Sequence, residues 1–178
     1  MFLMAVDVGF AVSGVAVFER VMETDANHWY RLRDLRCIRT LKDAAKRHRL
    51  RADEDVDRVG QMARGLLDLI LHYEVKRAVV ELPNAGAINY NACRAMSLAS
   101  GMIVAVMEAS GIAVEYYTPR QTRYAACQKY DPSKKEIVAA MLAKYPELGQ
   151  VALAIDRENC ADALATFEAA RAGNLTRL

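Results

Sequence analysis

The sequence has few of the features that mark secreted, zinc-binding or membrane proteins. Its four cysteines are too far apart for a zinc knuckle or a redox dithiol motif, and we interpret them as reduced thiols. The apolar start Met1–Val6 ends at Asp7, which is too short for the hydrophobic part of a signal peptide. No apolar run approaches the roughly 20 residues that a membrane span needs. These absences predict a cytoplasmic protein with no membrane partner.

A strong excess of either charge is also absent, since 24 basic residues stand against 22 acidic ones. Nucleic-acid binding would therefore need basic residues concentrated on one face. Hydrophobic residues make up 53% of the 178 residues and charged residues 26%, as in ordinary folded proteins. A chain of this length can bury a core without disulfides, and no linker or repeat divides it. We expect residues 1–178 to form a single domain.

Hydrophobic periodicity predicts three strands followed by alternating helices and strands. Such an order is typical of an α/β protein with a mixed five-stranded sheet and helices on its faces. The segment between Tyr117 and Ser133 is predicted as a loop. The predicted strands are Phe2–Val8, Gly14–Phe18, Trp29–Thr40, Arg77–Glu81 and Ile112–Tyr117, and the predicted helices are about Asp53–Tyr73, Asn89–Ser110, Ser133–Lys144 and Glu158–Arg171.

Three acidic residues lie in otherwise apolar segments, where a buried carboxylate is costly unless it is paired or bound to a metal. Asp7 ends the first predicted strand, Glu81 ends the fourth, and Asp162 lies near the predicted start of the last helix. If the two strands are neighbours, Asp7 and Glu81 would be about 5 Å apart. Each acid alone is more simply explained as a capping or turn residue. The three together favour a shared metal site.

Carboxylates without histidine or cysteine partners select hard cations, so we predict Mg²⁺ as the cofactor, with Mn²⁺ able to replace it. Two such ions about 4 Å apart would support in-line hydrolysis of a phosphodiester. One ion would activate the attacking water and the other would stabilise the leaving 3′ oxygen. The carboxylates would hold the ions without transferring protons themselves.

Five short segments follow one another along the chain in an order typical of one nuclease family. In the first, Asp7–Val17, an Asp is followed by a Gly two residues on and by a second Gly before the next strand. The others are Ser97–Gly101, Tyr117–Arg123, Ser133–Val138 and Ala161–Ala165. From Ala5 to about Ala170, the chain resembles the RuvC-type Holliday junction resolvases of the RNase H-like nuclease superfamily.

The resemblance implies an RNase H-like fold and a DNA endonuclease that resolves four-way junctions by paired, metal-dependent phosphodiester hydrolysis. It also implies a homodimer built on the Asn89–Ser110 helix, whose apolar surface is wide enough to leave a face for a partner. A two-fold dimer would set two sites for paired nicks across a symmetric junction.

One metal-site position departs from the family pattern. The family most often has Asp, and sometimes His, three residues before the last acid, where this chain has Asn159. Asn159 would share a helix face with Asp162 and could ligate a cation through its carbonyl oxygen, without adding charge. Glu158 is the neighbouring alternative. The predicted catalytic residues and metal ligands are Asp7, Glu81, Asp162 and Asn159.

Basic residues cluster around the predicted loop before the Ser133–Lys144 helix, and tyrosines are interleaved with them. The resemblance places Arg123 and Lys134 where the family contacts phosphates, and each would neutralise about one phosphate. The aromatic wedge that the family carries after its second acid is missing here, although Tyr90 lies further along. A second basic run, Lys42–Arg51, is equally well explained as plain surface. The predicted DNA-binding residues are Arg120, Arg123, Lys129, Lys134, Lys135 and Tyr90.

Three other functions remain open from the sequence. An RNase H-like nuclease could act on forks, flaps or other branched DNA instead of four-way junctions. A protein that binds DNA structures without cleaving them is suggested by Asn159. An ATP-binding protein of the actin and sugar-kinase class would need a second Asp-x-Gly hairpin, which the sequence does not contain.

Overall fold

The chain folds around a mixed sheet in the computed structural model, which describes residues 1–22, 28–42, 51–83 and 89–173. The strands are β1 (Phe2–Asp7), β2 (Val12–Met22), β3 (His28–Arg39), β4 (Val75–Glu81) and β5 (Ala113–Tyr117). Their order in the sheet is β3-β2-β1-β4-β5. β2 is antiparallel to both β1 and β3, whereas β1, β4 and β5 run parallel. The predicted mixed five-stranded sheet is confirmed.

Helices cover both faces of this sheet. They are α1 (Arg51–Tyr73), α2 (Tyr90–Ala109), α3 (Pro119–Cys127), α4 (Lys134–Lys144) and α5 (Ala154–Gly173), with a 3₁₀ helix at Pro146–Gln150 before α5. α1 and α2 pack against one face and contribute to one buried cluster. α3, α4 and α5 pack against the other face around a second cluster. The sheet is therefore the middle layer of three.

The central strand β1 shows how the sequence divides the core between the two faces. Successive side chains of a strand point to opposite sides. Met4 and Val6 face α1 and α2, whereas Leu3 and Ala5 face α5, and all four are fully buried. By the same alternation Asp7 belongs to the α5 face. The alternation along β1 therefore places the carboxylate of Asp7, at the end of the strand, on the side of the sheet that α5 covers.

The prediction of a loop between Tyr117 and Ser133 is wrong, because α3 occupies most of it. The backbone N–H of Gln121 donates to the Thr118 side chain, and the Gln121 side chain accepts from the Thr118 N–H, which forms a capping box. Pro119 takes the first helical position, where its missing N–H costs nothing. A Thr-Pro pair can mark either the end of a strand or the start of a helix. The prediction used Thr118-Pro119 only as the end of the preceding strand.

Two other boundaries differ from the prediction. α5 begins at Ala154, four residues before Glu158, so Asp162 lies in its third turn and not at its start. β2 extends beyond Gly14–Phe18 on both sides and forms a long hairpin with β3. The pairing of β2 with β3 shifts register after Val17, as expected for a bulge. Most of the second basic run, at residues 43–50, and the loop residues Asn84 and Ala85 lie outside the described residues.

Helix α2 leaves an apolar stripe in contact with solvent. Its buried side chains are Ala99, Met102, Ile103 and Met107. On the opposite side Leu98 and Val104 are 37% and 38% exposed. Length and composition alone would allow α2 to cross a membrane, a test that helices of water-soluble proteins also pass.

Candidate active site

The ends of β1 and β4 bring two carboxylates together. Asp7 pairs with Glu81 in the parallel register, as the last residue of each strand. Neighbouring strands lie about 4.8 Å apart, so the two backbones are close. Val79 and Leu3 belong to the buried cluster under α5, which puts Asp7 and Glu81 on that same face. The predicted adjacency of these two acids is confirmed.

Helix α5 supplies the third carboxylate, because it lies unusually close to the sheet. A Cβ atom at Gly14 in β2 would meet the carbonyl oxygen of Asn159 at 1.9 Å, so only glycine permits this approach. Every residue of α5 from Cys160 to Ala170 is buried, and Asp162 among them is 8% exposed. Asp7 pairs with Gly14 across the β1–β2 ladder, so the helix crosses the sheet beside the first acid.

The three carboxylates influence one another electrostatically. Burial raises the pKa of Asp7 well above its usual range, and the charges of Asp162 and Glu81 raise it further. Burial also raises the pKa of Glu81 and of Asp162. Asp162 is buried and Asp7 and Glu81 are partly buried, so repulsion among the three favours the bound state of a cation, which would restore all three to the ionised form. The negative charges of these three acids therefore favour the binding of a cation.

Lys134 provides one positive charge at this cluster. Its ammonium forms an ion pair with Asp162, and its charge lowers the pKa of Asp7, Glu81 and Asp162. Lys134 is the first residue of α4, and the Ser133 capping box fixes that helix start. The Lys134 side chain is half exposed, so it lies between the carboxylates and solvent. A phosphate-contact role for Lys134 stays a prediction.

Thr122 is a site residue that the sequence analysis missed. Its hydroxyl lies 2.5 Å from Oε2 of Glu81 and donates to that carboxylate, which lowers the pKa of Glu81 against the effect of burial. Thr122 is almost fully buried on the inner face of α3. The sequence signal for this contact was the position of Thr122, one turn into a helix that starts with Thr118-Pro119. Without α3, that signal could not be placed.

The side chain at the fourth predicted position forms a hydrogen bond within its own helix. The Asn159 side-chain N–H donates to the carbonyl oxygen of Ile155 at 2.7 Å, one turn back on its own helix. The charge of the alternative residue, Glu158, raises the pKa of Asp162, which places a fourth negative charge near the cluster. Asn159 and Glu158 therefore stay competing predictions for the fourth ligand.

The donor set fits a hard divalent cation. Within the described parts of the chain, no three acidic, histidine or cysteine side chains converge closely enough to hold a metal as they stand. The three carboxylates nevertheless offer only oxygen donors, lie close enough to shift one another's pKa, and stand in contact with one counter-charge. Oxygen-only donors of this kind are what Mg²⁺ and Mn²⁺ require.

The predicted DNA-binding residues fall into two groups. Arg120, Arg123 and Lys129 lie on α3 and the turn after it, and Arg123 lowers the pKa of both Glu81 and Asp162 by its charge. Lys135 is exposed at the start of α4 beside Lys134. Tyr90 begins α2, which packs on the opposite face of the sheet, and is 77% exposed. Arg123 and Lys134 thus act on the carboxylates by their charge, and Tyr90 stands apart on the other face of the sheet.

Only the comparison with solved structures finds proteins similar to this chain. No protein-family model matches the sequence, and no curated protein matches it. Among solved structures, T. thermophilus RuvC in complex with a Holliday junction substrate superposes with a TM-score of 0.71 at 19% identity, over 97% of this chain and 96% of RuvC. The yeast mitochondrial Holliday junction resolvase Ydc2 gives 0.63 at 10% identity, over 94% of this chain and 76% of Ydc2.

A viral resolvase is also similar in structure to this chain. The Fowlpox virus resolvase, solved with Holliday junction DNA, superposes with a TM-score of 0.55 at 14% identity, over 93% of this chain and 97% of the resolvase. The chain therefore has the RNase H-like fold of the RuvC-type resolvases, as the resemblance of its motifs implied.

Proposed function

We propose that this chain is a metal-dependent DNA endonuclease that cleaves four-way junctions by phosphodiester hydrolysis. The observation that carries the proposal is the meeting of Asp7, Glu81 and Asp162 where β1, β4 and α5 converge. The likeness to RuvC over 97% of the chain supports one nuclease domain covering residues 1–178, and it supports a branched DNA substrate.

The residues of this chain would divide the work as follows. Asp7, Glu81 and Asp162 would hold Mg²⁺ or Mn²⁺, and Thr122 would keep the Glu81 carboxylate in one orientation through its hydrogen bond. Bound ions of this kind supply an activated water and stabilise the leaving 3′ oxygen. Lys134 would exchange its ion pair with Asp162 for contact with the phosphate next to the cleaved bond. Arg123 would hold the same strand.

The first experiment is cleavage of a synthetic four-way junction, compared with a linear duplex and a replication fork of matched sequence. We expect symmetric nicks in the junction with Mg²⁺ or Mn²⁺ and none in EDTA. Cleavage of the fork in preference to the junction would retain the metal site and change the substrate to other branched DNA. Junction binding without cleavage in either metal would support a non-enzymatic DNA-structure-binding protein.

A homodimer is the second part of the proposal. Leu98 and Val104 flank Gly101 on the exposed side of α2, and a Cβ at Gly101 would meet no atom within 4 Å. An apolar stripe with a flat centre suits close packing against a second copy of the same helix. Two-fold pairing would give two active sites, one for each nick of a symmetric junction.

A charge on the exposed stripe of α2 should convert the dimer to monomers. We expect wild-type protein to have twice the monomer mass in sedimentation equilibrium, and Leu98→Glu or Val104→Lys to shift it toward the monomer mass. Leu142→Glu is the matched control, because Leu142 is 40% exposed on α4 at the opposite face of the sheet. A monomeric wild-type protein, or a dimer that survives both substitutions, would contradict an interface on α2.

A further inference from the structure

A cluster of two tyrosines and one arginine stands on the surface beside the carboxylates. The rings of Tyr124 and Tyr130 are stacked, with centroids 4.8 Å apart and an angle of 22° between their planes. The guanidinium carbon of Arg120 lies 4.3 Å from the centroid of the Tyr130 ring. Tyr124 is 41% exposed and Tyr130 is 57% exposed. These three residues are called the aromatic platform below.

The aromatic platform is built by the same helix that reaches the carboxylates. α3 directs Thr122 inward to Glu81, while Arg120 and Tyr124, four residues apart, lie together on its outer side. Tyr130 folds back onto them from the turn between α3 and α4. Arg123 forms an ion pair with Asp131, the residue after Tyr130, at 3.6 Å. The turn ends at Ser133, next to Lys134 at Asp162.

The exposure of the platform is not explained by the core. On the inner side of α3, Thr122 and Ala126 are buried, and Ala126 joins the cluster under the sheet with Cys127 packed against it. The stack occupies one face of each ring and Arg120 lies over the Tyr130 ring, so a further flat ring would cover the other face of Tyr124, which is 41% exposed. Arg120 adds a positive charge to the platform, whereas Lys129 in the turn after α3 is paired with Glu136 at 2.5 Å.

We propose that the aromatic platform binds an unstacked nucleobase of the DNA strand that is cut, next to the branch point. Stacking on tyrosine tolerates any base, since every base has a π face, and arginine adds a cation–π contribution and a phosphate contact. Bases inside a regular duplex already stack on their neighbours and offer no free face. The platform therefore distinguishes branched or unpaired DNA from duplex. This inference rests on the proposed function for its DNA substrate, and it uses residues outside the carboxylate site.

The test compares binding of three DNAs in EDTA, where no cleavage occurs: a four-way junction, a fork with single-stranded arms, and a linear duplex. The double variant Tyr124→Leu/Tyr130→Leu removes both π faces and keeps apolar bulk. We expect it to weaken binding to the junction and the fork by about 10-fold or more, as for the loss of one base–aromatic stack. Duplex binding should stay within about twofold, because phosphate contacts carry it.

The matched control is Tyr124→Phe/Tyr130→Phe, which keeps the π faces and should bind all three DNAs like wild type. A spectroscopic signature separates stacking from a structural role: 2-aminopurine at the branch point should lose fluorescence with wild-type and phenylalanine proteins, and keep it with the leucine variant. Equal weakening on duplex and branched DNA by the leucine variant would overturn the platform. The platform would also be overturned if the leucine variant bound the junction and the fork as tightly as wild type, or if wild type bound neither of them.

The same experiment keeps the two proposals apart. If wild-type protein binds the junction and fork and responds to the leucine substitutions, but cuts neither DNA when Mg²⁺ is added, the nuclease proposal fails and the platform stands. If wild-type protein cuts the junction while the leucine variant binds it normally, the platform fails and the nuclease proposal stands.

Discussion

Replacing Asp7, Glu81 or Asp162 by its amide, as D7N, E81Q or D162N, is expected to abolish most cleavage while leaving junction binding nearly intact. Each amide keeps the shape of the side chain and loses one negative charge from a cluster that must hold a divalent cation. We expect a rate loss of about 10²–10³-fold or more, the range for removing one preorganised stabilising group. Single-turnover cleavage of the junction in Mg²⁺ measures this loss, and fluorescence anisotropy in EDTA measures the binding.

The D7N variant should not be less stable than wild type in EDTA. Burial and mutual repulsion raise the pKa of Asp7, so its ionised form destabilises the folded state near neutral pH. The uncharged amide that the D7N substitution introduces removes that repulsion, and the melting temperature should stay equal or rise. Loss of activity together with unchanged or higher stability is the pattern of a functional site. Wild-type cleavage by any one of the three variants would refute the shared site.

Substitutions at the fourth position provide the comparison. Asn159→Asp introduces the acid that RuvC-type resolvases most often have at the corresponding position, and Glu158→Gln removes the competing charge. If Asn159 ligates the cation, Asn159→Asp should lower the Mg²⁺ concentration needed for half-maximal cleavage, while Glu158→Gln should have little effect. If Glu158 is the ligand, Glu158→Gln should raise that concentration, and the Asn159 amide would stay on the Ile155 carbonyl.

The sheet and the adjacency of Asp7 and Glu81 could be predicted because their signals are local. An apolar run that ends in a carboxylate marks a buried strand and its terminus, as in Phe2–Asp7 and in Ala78, Val79 and Val80 before Glu81. Parallel strands expose their carboxyl ends at one edge, so Asp7 and Glu81 become neighbours as soon as β1 and β4 pair. Nothing further along the chain is needed for that inference.

The rest of the site depends on contacts that no local pattern contains. The ion pair of Lys134 with Asp162 joins residues of two helices, and only the packing of α4 against α5 brings them together. Thr122 reaches Glu81 because α3 turns its inner face toward the end of β4. The missed helix start at Thr118 hid that contact, and also hid the aromatic platform on the outer face of the same helix.

Adding a single methyl group at Gly14 is expected to damage stability and catalysis together. A Cβ there would lie 1.9 Å from the carbonyl oxygen of Asn159, 2.4 Å from its carbon and 3.1 Å from the Cys160 nitrogen. These are backbone atoms of α5, which cannot rotate away, so the helix itself must move. Forced overpacking of this kind costs about 1–3 kcal/mol or more of unfolding free energy.

The displacement of α5 should also move the carboxylate of Asp162, which lies on this helix. Asp162 follows Asn159 by one turn, and a misplacement of about 1 Å at a reacting group can cost about 10²-fold in rate. The matched control is Gly60→Ala in α1, where the nearest atom to a new Cβ is the flexible Arg64 side chain at 3.4 Å. Removing a helical glycine there should raise unfolding free energy by about 0.5–1 kcal/mol with normal cleavage. If the Gly14→Ala variant has the melting temperature and the cleavage rate of wild type, the close contact of α5 with β2 is contradicted. The placement of Asp162 beside Asp7 is then contradicted as well.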